Sequence, residues 1–434
     1  MQFRTALMMG LILTYLWRFQ DLSPILRPFR IPLILSLVAM ATLLLDPKEK
    51  VLWRALARPY VVLYLLWSAW LAVGVPFALE SPDAWDYWSS SHLTNLVMFV
   101  FLLSTVRSQT SIRFAIGAHL VGVSVITFYY IKQGWPTSFT PIVGYDRNDV
   151  ALMFNLAIPV GFFYALTEKH RRMRWAAWAL VGAVGLSTIL TQSRGGFLTV
   201  AAAVVFLSFR VRRIKLAQRF LPIVALVLGT VFAPEDVKDR LSTILETEED
   251  YNRTMASGRV QIWERGIVYM RDRPMTGVGM DNFFVAENRI APPDILRLPR
   301  WRGHAPHNIF VQSGAESGMV GLILFTASLI AAVISLNRTR ARLVRKRASE
   351  NWILLADLLT ASFLAYCVGG FFLSWAYSPF VMFLFALVAG YQASEEAMVR
   401  ASRTGRKVRP PGRRRPRPTA GPRPAPIVLG TPEP

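Results

Sequence analysis

Three short stretches of this chain carry side chains able to do chemistry. The first runs from His307 to Leu322, "HNIFVQSGAESGMVGL". Taken as one helix at about 100° per residue, it sets His307, Gly314, Gly318 and Gly321 on one face. Asn308, Gln312 and Glu316 follow along another. Gly314 and Gly318 form a G-x-x-x-G pair suited to close helix approach. Neither stripe suits lipid, so the spacing predicts a helix buried in a bundle with His307 at its end. A lone histidine there is either a proton acceptor or an interfacial cap. Glu316 lies about 13 Å further along and nearly opposite, which fits a structural hydrogen-bonding group.

The second stretch is "TQSRGGFL", Thr191 to Leu198. Ser193 is a good N-cap, and Gly195 and Gly196 are expected to bare the first turn of the helix that follows. A helix N-terminus with Arg194 beside it suits an anion; the plainer reading is an interfacial anchor. The third stretch, "SGRVQIW", brings Arg259 ahead of Trp263 and Arg265. Loop arginines are usually solvated, so its weight comes from joining the other two. Two arginines and a histidine at one membrane face can hold a diphosphate as it departs while the histidine takes a proton from an attacking hydroxyl. A lipid-linked sugar diphosphate supplies such a leaving group where no nucleotide sugar is available. The chain has no Walker loop, dinucleotide-binding glycine pattern or D-x-D motif. His304 with His307 is the only close pair of metal-ligating type, so no metal or other cofactor is expected.

The elements that must position these residues are membrane helices. Of the 434 residues, 53% are hydrophobic, concentrated in runs long enough to cross a bilayer core. Candidate spans are 5–18, 30–45, 59–79, 91–106, 112–131, 149–166, 175–191, 195–209, 219–233, 307–336, 352–374 and 377–394, about twelve in all. The fold class expected is therefore an all-α polytopic bundle with one large extracytoplasmic loop. Basic loops at Lys48–Arg58, Arg107–Arg113, Lys169–Arg174, Arg210–Arg219 and Arg338–Arg347 fall at every second connection, which makes them and both termini cytoplasmic. Arg27 and Arg30 are exceptions, on the outside. The net charge of +22 follows from this topology and the tail, so no nucleic-acid partner is inferred. Cys367 sits alone in an apolar run and reads as a small hydrophobe.

That orientation puts residues 234–306 outside, including an acidic run "ETEEDYN". The helical spacing of Ile262, Gly266, Tyr269 and Met270 stops at Pro274 and Gly277. Residues 1–400 then form the membrane domain, and 401–434, rich in Arg and Pro, a disordered cytoplasmic tail. Topology derived mostly from other residues thus brings His307, Arg194 and Arg259 to one side.

With those motifs in hand, the chain resembles the O-antigen ligase and polysaccharide polymerase superfamily of bacterial inner membranes. His307, Asn308, Gly318 and Gly321 fit its histidine motif. Ser193, Arg194 and Gly195 match its serine-arginine-glycine helix start. Arg259, Trp263, Pro274, Gly277 and Gly279 are similar to its loop pattern of arginine, tryptophan and P-x-x-G-x-G. The resemblance covers about Asn148 to Phe325. It implies a metal-independent inverting glycosyltransferase of the inner membrane that uses an undecaprenyl-diphosphate-linked glycan donor. It makes His307 the base and Arg194 and Arg259 the diphosphate clamps. Ser193, Gly195, Gly196, Arg265 and Asn308 are the expected substrate-binding positions; Gly277, Gly279, Gly314, Gly318, Gly321 and Glu316 are the structural ones. The acceptor implied is lipid A-core, as in a ligase, or a growing glycan or a protein. A solute transporter and a non-catalytic envelope scaffold are the alternatives from other classes. A transporter would tend to show related halves and helices broken at the midplane, and a scaffold would leave the outer arginines unexplained.

Overall fold

A computed structural model describes residues 2–45, 49–135, 145–211, 220–242 and 255–403. The acidic run 246–252, most of the basic stretch 210–219 and the tail beyond 403 lie outside the described residues. Eighteen α-helices carry the described chain: α1 (Gln2–Tyr15), α2 (Ile31–Leu44), α3 (Glu49–Leu56), α4 (Pro59–Gly74), α5 (Ser81–Asp86), α6 (Leu93–Thr105), α7 (Gln109–Lys132), α8 (Arg147–Thr167), α9 (Arg171–Leu190), α10 (Arg194–Arg210), α11 (Leu221–Val231), α12 (Glu235–Ser242), α13 (Arg259–Asp272), α14 (Phe283–Arg289), α15 (Pro293–Leu296), α16 (Ile309–Arg345), α17 (Glu350–Gly370) and α18 (Pro379–Arg403). Apolar runs become helices because a backbone in hydrocarbon must satisfy its own N–H and C=O groups. Met1–Glu395 forms one compact unit; of a second, Glu396–Pro434, the described part is helical.

Among the described residues, seven helices are long and apolar enough to cross a membrane. These are the segment Arg27–Leu44, α4 extended to Phe77, α7, α8, α9, α16 and α17. The remaining expected spans correspond to α1, α6, α10 and α11, with 11 to 17 residues each, and to α18, whose C-terminal half is polar. The expected count of about twelve therefore rests on short helices as well as full-length ones. Burial ranks the spans: 83% of the α8 window and 78% of that of α17 are inside the protein, against 11% for Arg27–Leu44. The candidate chemistry sits at the ends of the innermost helices.

One end of the bundle is closed by ion pairs. Asp357, about two turns into α17, takes Arg210 of α10 at 2.8 Å and Arg340 of α16 at 2.5 Å. Glu395 takes Arg342 and Lys346, each at 3.2 Å, and Arg113 meets Glu168 at 3.0 Å. These cations come from the stretches the charge pattern assigns to one side. The N-termini of α8, α10 and α16 lie at the opposite end.

Helix α16 corrects the sequence reading in two ways. It begins at Ile309, so His307 precedes it, and it breaks at Gly318, where φ is 71° and ψ −175°. A straight α-helix of 37 residues would be about 55 Å long, against a hydrocarbon core of about 30 Å. The break leaves Ile309–Ser317 as a separate short piece. The single face expected to run from His307 through Gly314 to Gly321 is therefore interrupted.

Candidate functional site

The start of α10 is held from three sides. Ser193 is the N-cap, its Oγ accepting from the Gly196 N–H at 3.0 Å and donating to Asn148 Oδ1 at 2.7 Å. Asn155 donates to the Gly196 carbonyl at 2.8 Å. Gly195 packs against Phe372, and Gly196 against Ala151, so closely that a Cβ at either would collide. This corrects the expectation that the two glycines bare the first turn: they bury it. Arg194, ahead of the two glycines, is partly exposed.

The start of α16 is organised alike. Asn308 caps it, Oδ1 accepting from the Phe310 and Val311 N–H groups at 2.9 and 3.2 Å. Asn308 is 2% exposed, so its placement here is that of a cap rather than a group presented to a substrate. His307, just before it, has φ 45°, a left-handed conformation uncommon for a side-chain-bearing residue. Its N–H donates to Ser374 Oγ at 2.8 Å.

Arg259 opens α13, with its guanidinium carbon 5.9 Å from the centre of the Phe372 ring. In the same helix, Trp263 donates from Nε1 to the Pro306 carbonyl at 2.9 Å and packs edge-on against Phe371 at 5.1 Å. The connection between α17 and α18, Phe371–Ser378, thus gathers all three elements. Phe372 touches Gly195, next to Arg194, and lies under Arg259, while Ser374 holds the backbone of His307. His307 is pushed down to about 4, first by burial, then by the Arg259 charge and, more weakly, His304; Asp146 pulls the other way. Asp146 caps α8 through a mutual bond with Asp149, and Trp375 donates to Asp149 Oδ1 at 2.7 Å. The imidazole is therefore neutral near neutral pH, with one ring nitrogen unprotonated, in the field of a guanidinium.

Arg265 is not part of this cluster. It is 5% exposed and turns inward, donating to both carboxylate oxygens of Glu287 at 2.7 and 2.6 Å and to the Ala256 carbonyl at 3.0 Å. Tyr269 adds a bond to Glu287 at 2.8 Å. Its guanidinium is spent on the fold of the loop.

The glycines of the two other motifs form one seam. Val278 donates to the Ala315 carbonyl at 2.8 Å, Gly279 to that of Glu316 at 3.2 Å, and Met319 to that of Pro274 at 2.7 Å. Gly277 and Gly318 both have positive φ and sit backbone to backbone, so neither site admits a Cβ. Gly279 fits against Ala78, Gly314 against Met270, and Gly321 against Ser317. Glu316 ties this seam to the α17–α18 connection: it accepts from the Phe283 N–H at 3.2 Å and from Tyr377 Oη at 2.6 Å. Gln312 does likewise, accepting from the Ala376 N–H at 3.1 Å. Glu316 thus has the hydrogen-bonding role its distance from His307 suggests.

Sequence reasoning missed Phe371–Ser378. The candidate spans 352–374 and 377–394 left two residues between them, because Phe371, Phe372 and Leu373 are apolar. Available signals were the Gly369–Gly370 pair, which suits a helix end, and Pro379, which suits a helix start.

Fold and site together define a multi-pass helical membrane protein with a basic, histidine-containing cluster at one end of its innermost helices. Residues 178–326, the segment carrying Arg194, Arg259, His307 and the glycine seam, match the O-Antigen ligase (Wzy_C) family, in agreement with the motifs. The chain is 24% identical over 257 residues to the exopolysaccharide production protein ExoQ of Rhizobium meliloti, covering 56% of this chain and 57% of that protein. It is 21% identical over 248 residues to an uncharacterized protein of Haemophilus influenzae, covering 53% of this chain and 61% of the other. It therefore spans less than two thirds of the length of either relative. Asp146 and Phe371–Ser378 lie outside the family match.

Proposed function

We propose that this protein is a glycan transferase acting at the extracytoplasmic face of a bacterial inner membrane, most like an O-antigen ligase. Its donor is an undecaprenyl-diphosphate-linked oligo- or polysaccharide. The acceptor hydroxyl belongs to lipid A-core, with a growing chain or a protein as the variants of the same chemistry. Residues 1–400 form the catalytic membrane domain, with both termini cytoplasmic and residues 234–306 outside.

Arg194 and Arg259 grip the diphosphate. The acceptor oxygen attacks the anomeric carbon from the side opposite the phosphate, so configuration inverts. The bond from that carbon to the phosphate oxygen breaks, its electrons leave with the undecaprenyl diphosphate, and the acceptor proton passes to His307. The arginines neutralise the charge that grows on the leaving group, without a metal ion. The observation that carries this reading is the gathering of Arg259, His307 and the Arg194 turn around Phe371–Ser378, with the imidazole kept neutral by burial and Arg259.

The test is transfer of a lipid-linked glycan by purified protein in nanodiscs. His307→Ala abolishes transfer while insertion and thermal stability persist, and Arg194→Lys loses most activity because lysine lacks the planar fork. Normal transfer by a well-folded His307→Ala protein overturns the assignment.

A further inference from the structure

Between α14 and His307 the chain reads "IAPPDILRLPRWRGHAPH". Arg297, Arg300 and Arg302 are all exposed, whereas Trp301 between the last two is half-buried. Trp301 Nε1 donates to the Glu287 carbonyl at 3.0 Å. Its ring lies 5.4 Å from the Arg265 guanidinium and 5.2 Å from His304. The Gly303 N–H donates to Asn288 Oδ1 at 2.9 Å, and Gly303 packs too closely on α14 for any side chain. Beneath both anchors lies the buried Arg265–Glu287 pair. The backbone is pinned at Trp301 and Gly303, and the arginines flanking Trp301 point outward.

These arginines differ from their neighbours. Arg289 pairs with Glu80, Arg271 with Asp272, and Arg273 donates to the Phe77 carbonyl. Among the described residues no ion pair engages Arg297, Arg300 or Arg302. Each carries a full charge within 12 residues of the start of α16, on the side where membrane topology calls for none. No lysine occurs from Met255 to Arg345; the positive groups are all guanidinium, the fork that matches carboxylate and phosphate. Arg302 is five positions before His307, so their Cα atoms are at most about 18 Å apart.

We propose that Arg297, Arg300 and Arg302 form a rim that binds an oxyanion-bearing saccharide, so that the glycan handled at His307 carries carboxylate or phosphate substituents. This rests on the transferase reading and names its substrate class. A lipid surface is the weaker fit. Headgroup-binding segments use clusters of four to eight cations, whereas this one has three, preceded by the exposed Asp294, on a backbone pinned in place.

The experiment measures binding of three oligosaccharides of equal length to protein in phosphatidylcholine nanodiscs: oligogalacturonate, a phosphorylated dextran fragment and neutral dextran. Wild-type protein binds at least one anionic probe more tightly than neutral dextran, and the preferred probe distinguishes carboxylate from phosphate. The triple variant Arg297→Gln, Arg300→Gln, Arg302→Gln loses about tenfold in that affinity, as expected for three exposed charge contacts, and its binding depends less on salt. Replacing all three by lysine, which keeps the charge and the surface, gives an intermediate loss. Equal affinity for anionic and neutral probes overturns the proposal. So does a triple glutamine variant with wild-type binding, or one whose only defect is in binding phosphatidylglycerol vesicles. His307→Ala separates the two claims: it binds the anionic probe normally, and if it also transfers glycan normally the transferase assignment falls while the rim stands.

Discussion

Acidification tests the site most directly. Burial and the Arg259 charge hold His307 at about 4, against the ordinary histidine value of 6.5. At pH 5.5 an ordinary imidazole is only about 10% neutral, whereas one at about 4 is about 97% neutral. If neutral His307 is the base, kcat/KM, which reports the free protein, stays near its plateau at pH 5.5 and falls only toward pH 4. An ordinary histidine would already have lost about nine tenths of the rate. The kcat profile turns down at higher pH, because a bound diphosphate offsets Arg259 and favours the imidazolium. Stability follows the same shift: between pH 6.5 and about 4 the unfolded chain binds the extra proton, so this group's contribution declines as pH drops through that window and then levels off. Arg259→Gln removes the second largest cause and moves the value up toward 6.5; Asp146→Asn moves it further down. The assay is transfer of a fluorescent lipid-linked oligosaccharide across pH 4 to 8. Diethyl pyrocarbonate modification of His307, followed by mass spectrometry, reads the neutral fraction without turnover. An acid limb near 6.5 in the wild type, or a modification profile unmoved in Arg259→Gln, would refute the reasoning.

Gly318→Ala forces a side chain into φ 71° against the Pro274 and Met275 carbonyls. We expect a loss of about 3 kcal/mol or more and faster limited proteolysis between Ala256 and Arg302; an unchanged melting point and digest would contradict the seam. Ser374→Ala removes the acceptor of the His307 N–H and lowers kcat about tenfold with little change in KM, while Ser374→Thr keeps most activity. Equal kcat in the alanine variant would show that Ser374 positions nothing. Glu287→Gln leaves Arg265 buried without its full counter-charge and costs about 3 kcal/mol, read as a lower melting temperature; a wild-type transition would mean that the pair is dispensable.

Much of the scaffold is legible in the sequence because hydrocarbon allows few backbone solutions. The span expected at 112–131 is Gln109–Lys132, and that at 149–166 is Arg147–Thr167. The Ser193 cap is legible too, since a capping serine acts within its own turn. What is not legible depends on partners distant in sequence. Gly318 reads as a small helix-packing residue until Pro274–Met275 is known to lie on it. Phe372 reads as the end of an apolar run until Gly195 and Arg259 are seen against it. The difference between Arg259 and Arg265 was within reach: six positions apart on a helix, they point about 120° from each other, so both could not face His307. What settles which turns inward is Glu287, 22 residues on.

The seam between Gly277 and Gly318 also bears on how such a protein diversifies. At both positions only a hydrogen atom fits in place of a side chain, so there is no graded series of larger residues through which selection could adjust the joint. Variation is pushed outward, to exposed positions such as Arg297, Arg300 and Arg302, where a new side chain meets solvent. Under the proposed transferase reading, a lineage can thereby acquire a different sugar specificity while the joint beneath the site stays the same.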